Sequence, residues 1–233
     1  MELVQLDESE LAFPPVELAL SQPNGLLAIG GDLSPQRILL AYRQGIFPWF
    51  GAHQPILWWS PDPRGVLQPD AMHCSRSLQK QLRRQTVSCW INRDFAQVIA
   101  ACAAPRRDCE DTWISQEMQQ AYLQLHSLGL AHSIEIWRDE QLVGGLYGLA
   151  VGSLFCGESM FSRDTNASKL ALYYLCRHWH RWGGRLIDCQ MQNSHLETLG
   201  VVEWPRARFM AQLARCRDET IDPACWRYQE VIV

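Results

Sequence analysis

The chain has 233 residues, 47% of them hydrophobic, and a formal net charge of −4. That length and apolar content suffice for a packed core without covalent staples, and the acidic balance excludes indiscriminate DNA binding. Nine cysteines, from Cys74 through Cys109 to Cys225, are odd in number, form no CxxC pair and lie scattered in apolar stretches; they exclude a disulfide scaffold and are expected to be reduced core thiols.

In chain order, MELVQLDESELAF places acids where a signal peptide needs a basic region. No apolar run approaches the roughly 20 residues of a spanning helix, so a soluble, cytoplasmic protein without membrane contact is expected. From Pro14 to Pro69 the sequence is rich in Pro and Gly, with one helix: Ser34 as N-cap, Pro35 next, Ile38, Ala41 and Tyr42 on one face, and Gly45 as terminator. A small irregular subdomain over 1–62 is expected, followed by a larger unit over 63–233. In CSRSLQKQLRRQ, Arg76, Lys80, Arg83 and Arg84 recur at helical spacing as a basic stripe, with a plain solvated face as the alternative.

Asn92 is expected to cap a helix marked by Phe95, Val98, Ile99 and Cys102. Ser115 caps a second, with Met118, Ala121, Tyr122 and Leu125 inward and Gly129 at its end. HSIEIWR, the turn DEQ and LVGGLYGLAVGSLFCGESMFS predict two or three antiparallel strands. A long helix over 166–182 stops at Gly183, the strand RLIDCQMQN returns to the sheet, and a last helix covers 205–217. Two helices, a meander, a long helix and a further strand predict an α+β domain with helices on a mostly antiparallel sheet. That order resembles the GCN5-related N-acetyltransferases. Coenzyme A is nevertheless disfavoured, because SMFSRDTNAS before the long helix has no glycine to present bare amides to a pyrophosphate.

Six stretches resemble the leucyl/phenylalanyl-tRNA protein transferase family: PNGLLAIGGDLSPQRILLAYRQGIFPWF, PILWWSPDPRGVL, HSIEIW, LVGGLYG, LFCGESMFSR and LIDCQMQN. The resemblance implies an enzyme that moves Leu, Phe or Met from aminoacyl-tRNA to an N-terminal Arg or Lys of a protein, creating a degradation signal of the N-degron route. It implies no cofactor. By family position, Trp49 and Trp113 lie against the terminal adenosine, Asn193 holds the adenosine or the acceptor, and Leu146, Phe155, Met160 and Leu172 wall the aminoacyl pocket. The C-terminal third, from Val201 on, carries few of the family's signatures.

The residue chemistry bears on three tasks. The Arg76, Lys80, Arg83, Arg84 stripe suits acceptor-stem phosphates, and tryptophans suit base stacking. A carboxylate inside an apolar strand, Glu158, costs several kcal/mol unless paired; an amine of the bound aminoacyl group is one partner. Asp188 and Gln190 alternate onto one strand face. There the Gln190 amide is expected to contact the attacking amine while Asp188 polarises that amide, leaving Asp188, the ribose oxygen or water as proton acceptor. Strand alternation turns Cys189 away and puts Cys156 on the face of Glu158, which opens an acyl-cysteine route. No His, Cys and Asp cluster has metal spacing. The rival readings are a coenzyme A dependent acetyltransferase and a non-catalytic tRNA-binding module.

Overall fold

The computed structural model describes residues 3–51, 53–84, 86–105 and 113–232. Cys109 lies outside them; none of the eight described cysteines is in a disulfide, six of them being buried and Cys74 and Cys189 partly exposed.

Ser34 starts α1 (Pro35–Arg43), its side chain accepting from the Arg37 amide, and the chain leaves at Gly45 with φ +74°. The buried face is Ile38, Ala41 and Tyr42, as the spacing predicts. Around α1 lie β1 (Val4–Leu6), β2 (Leu26–Gly30), β3 (Phe47–Pro48) and β4 (Leu57–Trp59), which pair in the order β1-β2-β4-β3. Trp58, in a stretch too punctuated to read as strand, is fully buried here, and its indole donates to the Gly30 carbonyl.

The remaining elements are β5 (Arg64–Leu67), α2 (Arg76–Arg84), β6 (Ser88–Ile91), α3 (Phe95–Ala103), α4 (Gln116–Ser127), β7 (Ala131–Arg138), β8 (Gln141–Val151), β9 (Leu154–Ser162), α5 (Ala167–Arg181), β10 (Leu186–Gln190), α6 (Ser194–Glu197), β11 (Val202–Trp204), α7 (Arg206–Cys216) and β12 (Gln229–Glu230). Their strands form one sheet in the order β11-β5-β10-β9-β8-β7-β6-β12, antiparallel at every step except β9 with β10. The α+β class with a mostly antiparallel sheet is therefore as expected. No helix among the described residues is long and apolar enough to cross a membrane.

Each face of this sheet carries its own core. One gathers α1, α3, α4 and the small sheet against Leu149, Leu154 and Cys156; the other gathers α5 against Leu146, Phe155 and Ile187. A Cβ on Gly144 would fall 2.4 Å from that of Ala167, so only glycine lets α5 lie this close to β8.

Two bulges break the alternation at neighbouring positions. In β9, Gly157 pairs with Gly148 and Ser159 with Tyr147, leaving Glu158 as the extra residue; in β10, Cys189 is extra between Asp188 and Gln190. A bulge re-aims the side chains beyond it. Glu158 stays on the α1/α4 face while Met160 turns to the α5 face. The pairing of β9 with β10 ends at Asp188 and Cys156, just where both bulges begin.

Two expectations are corrected. Asp94, not Asn92, caps α3, its carboxylate accepting from the Gln97 amide at 2.9 Å. Asn92 instead adopts φ +54° and bridges the Ser133 amide to the Trp226 carbonyl. The strand read as continuing through Asn193 ends at Gln190, and Met191 just beyond it is exposed.

Candidate active site

Two carboxylates stand on adjacent strands beside this break. Asp188 is buried, and both its oxygens are occupied: Oδ1 accepts from Arg64 Nε at 2.8 Å and Oδ2 from Arg64 Nη2 at 2.7 Å. A buried pair offsets its desolvation only with such bidentate geometry. The guanidinium is also held by the Gly45 carbonyl at 3.1 Å and lies between the rings of Phe47 and Phe209, 4.7 and 4.6 Å from their centroids. Arg64 thus ties β5 to the end of α1 and to α7. Oδ1 of Asp188 further accepts the backbone N–H of Gln190 at 2.9 Å. That bond helps hold Gln190 at φ +62°, a conformation costing a non-glycine residue about 1–3 kcal/mol.

Glu158, on β9, is only partly buried and faces no cation directly. Its Oε1 lies 2.6 Å from the Tyr42 hydroxyl and its Oε2 2.8 Å from that of Tyr122, while the two hydroxyl oxygens are 2.8 Å apart. The Gln190 side-chain amide donates to Oε1 at 2.9 Å. Burial is the main cause that pushes the Glu158 carboxyl up to about 7; the tyrosine hydrogen bonds oppose it, and Asp188 adds to it. Burial, then Glu158, pushes both tyrosines well above their ordinary value.

The expected triad of Glu158, Asp188 and Gln190 therefore comes together, but with different wiring. Asp188 does not polarise the Gln190 side-chain amide, as expected; it holds the backbone instead, and the amide goes to Glu158. The left-handed turn at Gln190 causes this, because it swings the side chain toward β9. Cys156 shares the face of Glu158, and its thiol is buried and pushed well above the usual range by burial, then by Asp188. A thiol so raised is a poor nucleophile. Cys189 packs on the opposite face.

Leu146, Phe155 and Leu172 are buried in the α5 core, and Met160 is half-buried against it. These four lie across the sheet from Glu158, on the other side of the break between β9 and β10. Trp49 is 39% exposed and meets Trp59 edge to face at 5.6 Å; Trp113 is half-buried against the first core. Asn193 lies beyond the strand, where its side chain accepts from the Leu196 amide and caps α6. Arg76, Lys80, Arg83 and Arg84 are on α2 and enter no ion pair among the described residues.

Tyr42, Tyr122, Arg64 and Phe209 join the site without having been singled out by the sequence. The signals existed: both tyrosines fall on faces read as buried, where a hydroxyl needs a partner, and Arg64 opens an apolar strand that demands a counter-ion.

The family model for the leucyl/phenylalanyl-tRNA protein transferase N-terminal domain matches residues 31–62, and that for leucyl/phenylalanyl-tRNA protein transferase matches residues 66–214. A leucyl/phenylalanyl-tRNA–protein transferase from Tolumonas auensis is 61% identical over 97% of this chain and 97% of its own length. Those from Edwardsiella ictaluri and Aeromonas hydrophila are 58% and 56% identical over 99% of the chain and 95% and 98% of their own lengths. Among solved structures, a GCN5-related N-acetyltransferase from Kribbella flavida aligns at TM-score 0.32 and 13% identity over 71% of this chain and 58% of its own. The alignment extends over nearly the whole chain, and in its C-terminal third Phe209 packs on Arg64. With both family models matched in order, the chain belongs to the leucyl/phenylalanyl-tRNA protein transferase family.

Proposed function

We propose that this protein carries Leu, Phe or Met from aminoacyl-tRNA to the N-terminal Arg or Lys of a protein in the bacterial cytoplasm, marking it for degradation. The observation that carries the reading is the break between β9 and β10: the carboxyl of Glu158 and the amide of Gln190 stand on one side and the apolar walls on the other. An esterified amino acid threaded through this break puts its side chain among Leu146, Phe155, Met160 and Leu172 and its ester beside Gln190. Walls unbranched at Cβ suit Leu, Phe and Met, and a misplaced methylene costs about 1–3 kcal/mol.

In this reading the exposed Trp49, together with Trp113 and Asn193, receives the terminal adenosine, and the α2 stripe follows acceptor-stem phosphates. Such phosphate contacts position without reading sequence. The smaller unit over 1–62 contributes Trp49 and Tyr42, and the unit over 63–233 contributes the chemistry. An acyl ester is already activated, so orientation supplies much of the rate.

The test is label transfer. Labelled Leu-tRNA and a peptide beginning with Arg should yield labelled peptide, whereas Ile-tRNA or a peptide beginning with Ala should not. Equal transfer in all mixtures, or tRNA binding without transfer, sinks the reading.

A further inference from the structure

The three side chains of Tyr42, Tyr122 and Glu158 form a closed circuit whose oxygen contacts are 2.6, 2.8 and 2.8 Å. Oxygens this close are hydrogen-bonded through a proton between each pair. Three contacts need three protons. Each tyrosine brings one, and a carboxylate brings none. If both tyrosines donate to an ionised Glu158, their own oxygens meet at 2.8 Å with no proton between them. The Gln190 amide does not repair this count, because it donates to Oε1 from outside the circuit.

We propose that Glu158 supplies the third proton in the free enzyme, and that this carboxyl, rather than Asp188, receives the proton of the acceptor's α-ammonium. The proposal rests on the transferase reading above. The groups facing Glu158 agree with it. They are Tyr42 on α1, Tyr122 on α4, Tyr147 on β8, Cys156 on β9, Arg64 on β5 and Asp188 on β10. The single cation among them, Arg64, is already committed to Asp188. Asp188 has no oxygen free of Arg64, whereas the Glu158 carboxyl meets only neutral side-chain partners and its residue is only partly buried.

The proton ledger then closes. Binding of the acceptor ammonium displaces the carboxyl proton to solvent and opens the circuit, leaving a carboxylate beside the ammonium. An N–H bond of the ammonium breaks as its proton joins Glu158, which restores the ring and frees the nitrogen lone pair. The nitrogen bonds to the ester carbonyl carbon, the carbon–oxygen bond to the ribose breaks, and the second N–H proton passes to that ribose oxygen. A terminal amine has an ordinary pKa of about 7.7–8.0, close enough to that of the Glu158 carboxyl for the first transfer to run in either direction.

Infrared difference spectra of the free enzyme between pH 5.5 and 8.5 test the ring without any tRNA. The expected result is one protonated-carboxyl band lost with a midpoint near 7 and absent from Glu158→Gln. In that variant the amide N–H stands in for the carboxyl proton, so its melting temperature at pH 6 should match the parent's. Its single-turnover transfer should fall about a hundredfold or more, with tRNA affinity unchanged. Calorimetry in buffers of differing ionisation heat should show about one proton released per Arg-initiated dipeptide bound at pH 6, turning to proton uptake at pH 8.5, where Glu158 is already ionised and the free amine is mostly neutral. A missing band, or a Glu158→Gln protein that melts well below the parent at pH 6, overturns the ring. A titrating band in an enzyme that transfers no amino acid leaves the ring standing and defeats the transferase reading instead.

Discussion

Asp188 and Glu158 are both carboxylic side chains on one face of one sheet, on adjacent strands, yet their surroundings differ in kind. Asp188 is gripped by a cation that two aromatic rings and a backbone carbonyl hold in place. Glu158 meets neutral donors alone: two phenols and an amide. A carboxylate fixed by a buried guanidinium is a structural anchor, since changing its charge strands the cation. A carboxyl among neutral hydroxyls can gain or lose a proton without stranding an ion. The difference assigns architecture to the first and proton exchange to the second.

The sharpest way to break the comparison is Arg64→Ala. It leaves a buried Asp188 unpaired, and denaturant unfolding should show a loss of about 3–5 kcal/mol. A loss below about 1 kcal/mol would mean that Asp188 is not anchored as described. Trp49→Ala leaves both carboxylates alone and should weaken tRNA binding by about 1–3 kcal/mol, roughly ten- to a hundredfold, while the lost edge contact with Trp59 costs about 1 kcal/mol of stability. Phe209→Leu keeps most of the apolar bulk but removes one aromatic face from Arg64. It should cost about 1 kcal/mol of stability, and an unchanged midpoint would show the stacking to be incidental.

A further test concerns pH. The folded-state pKa of Glu158 lies near 7, above the unfolded 4.5, so the folded protein binds the Glu158 proton more tightly than the unfolded chain does. Its contribution is therefore complete below 4.5 and lost as pH rises to about 7. The parent should lose stability across that window, and Glu158→Gln should lose less. Parallel curves for the two proteins would contradict the shift.

The same contrast explains what the sequence could disclose. Helix spacing places Tyr42 and Tyr122 on buried faces, and strand alternation puts Asp188 and Gln190 together. The meander, the long helix and the returning strand are equally legible, because Gly45, Gly129 and Gly183 end their helices and the turn residues fall where strands stop. The bulges at Glu158 and Cys189 are not. A bulge is fixed by what the neighbouring strand does, and nothing within CGESM or IDCQM reveals that one residue in each goes unpaired. For the same reason Met160 and Glu158 look like one strand face, when the bulge in fact parts them. The pairing of Arg64 with Asp188 joins residues 124 positions apart, and local pattern carries no information about such a partner.

The most direct measurement is the pH dependence of single-turnover transfer for the parent, Glu158→Gln and Asp188→Asn. The parent rate should fall about tenfold per pH unit below 7 as Glu158 protonates. Asp188→Asn should keep that shape at a lower height, and Glu158→Gln should be slow, with a rate that follows only the acceptor amine's own ionisation at about 7.7–8.0. A flat Asp188→Asn profile beside an unchanged Glu158→Gln profile would make Asp188 the proton acceptor and contradict the account.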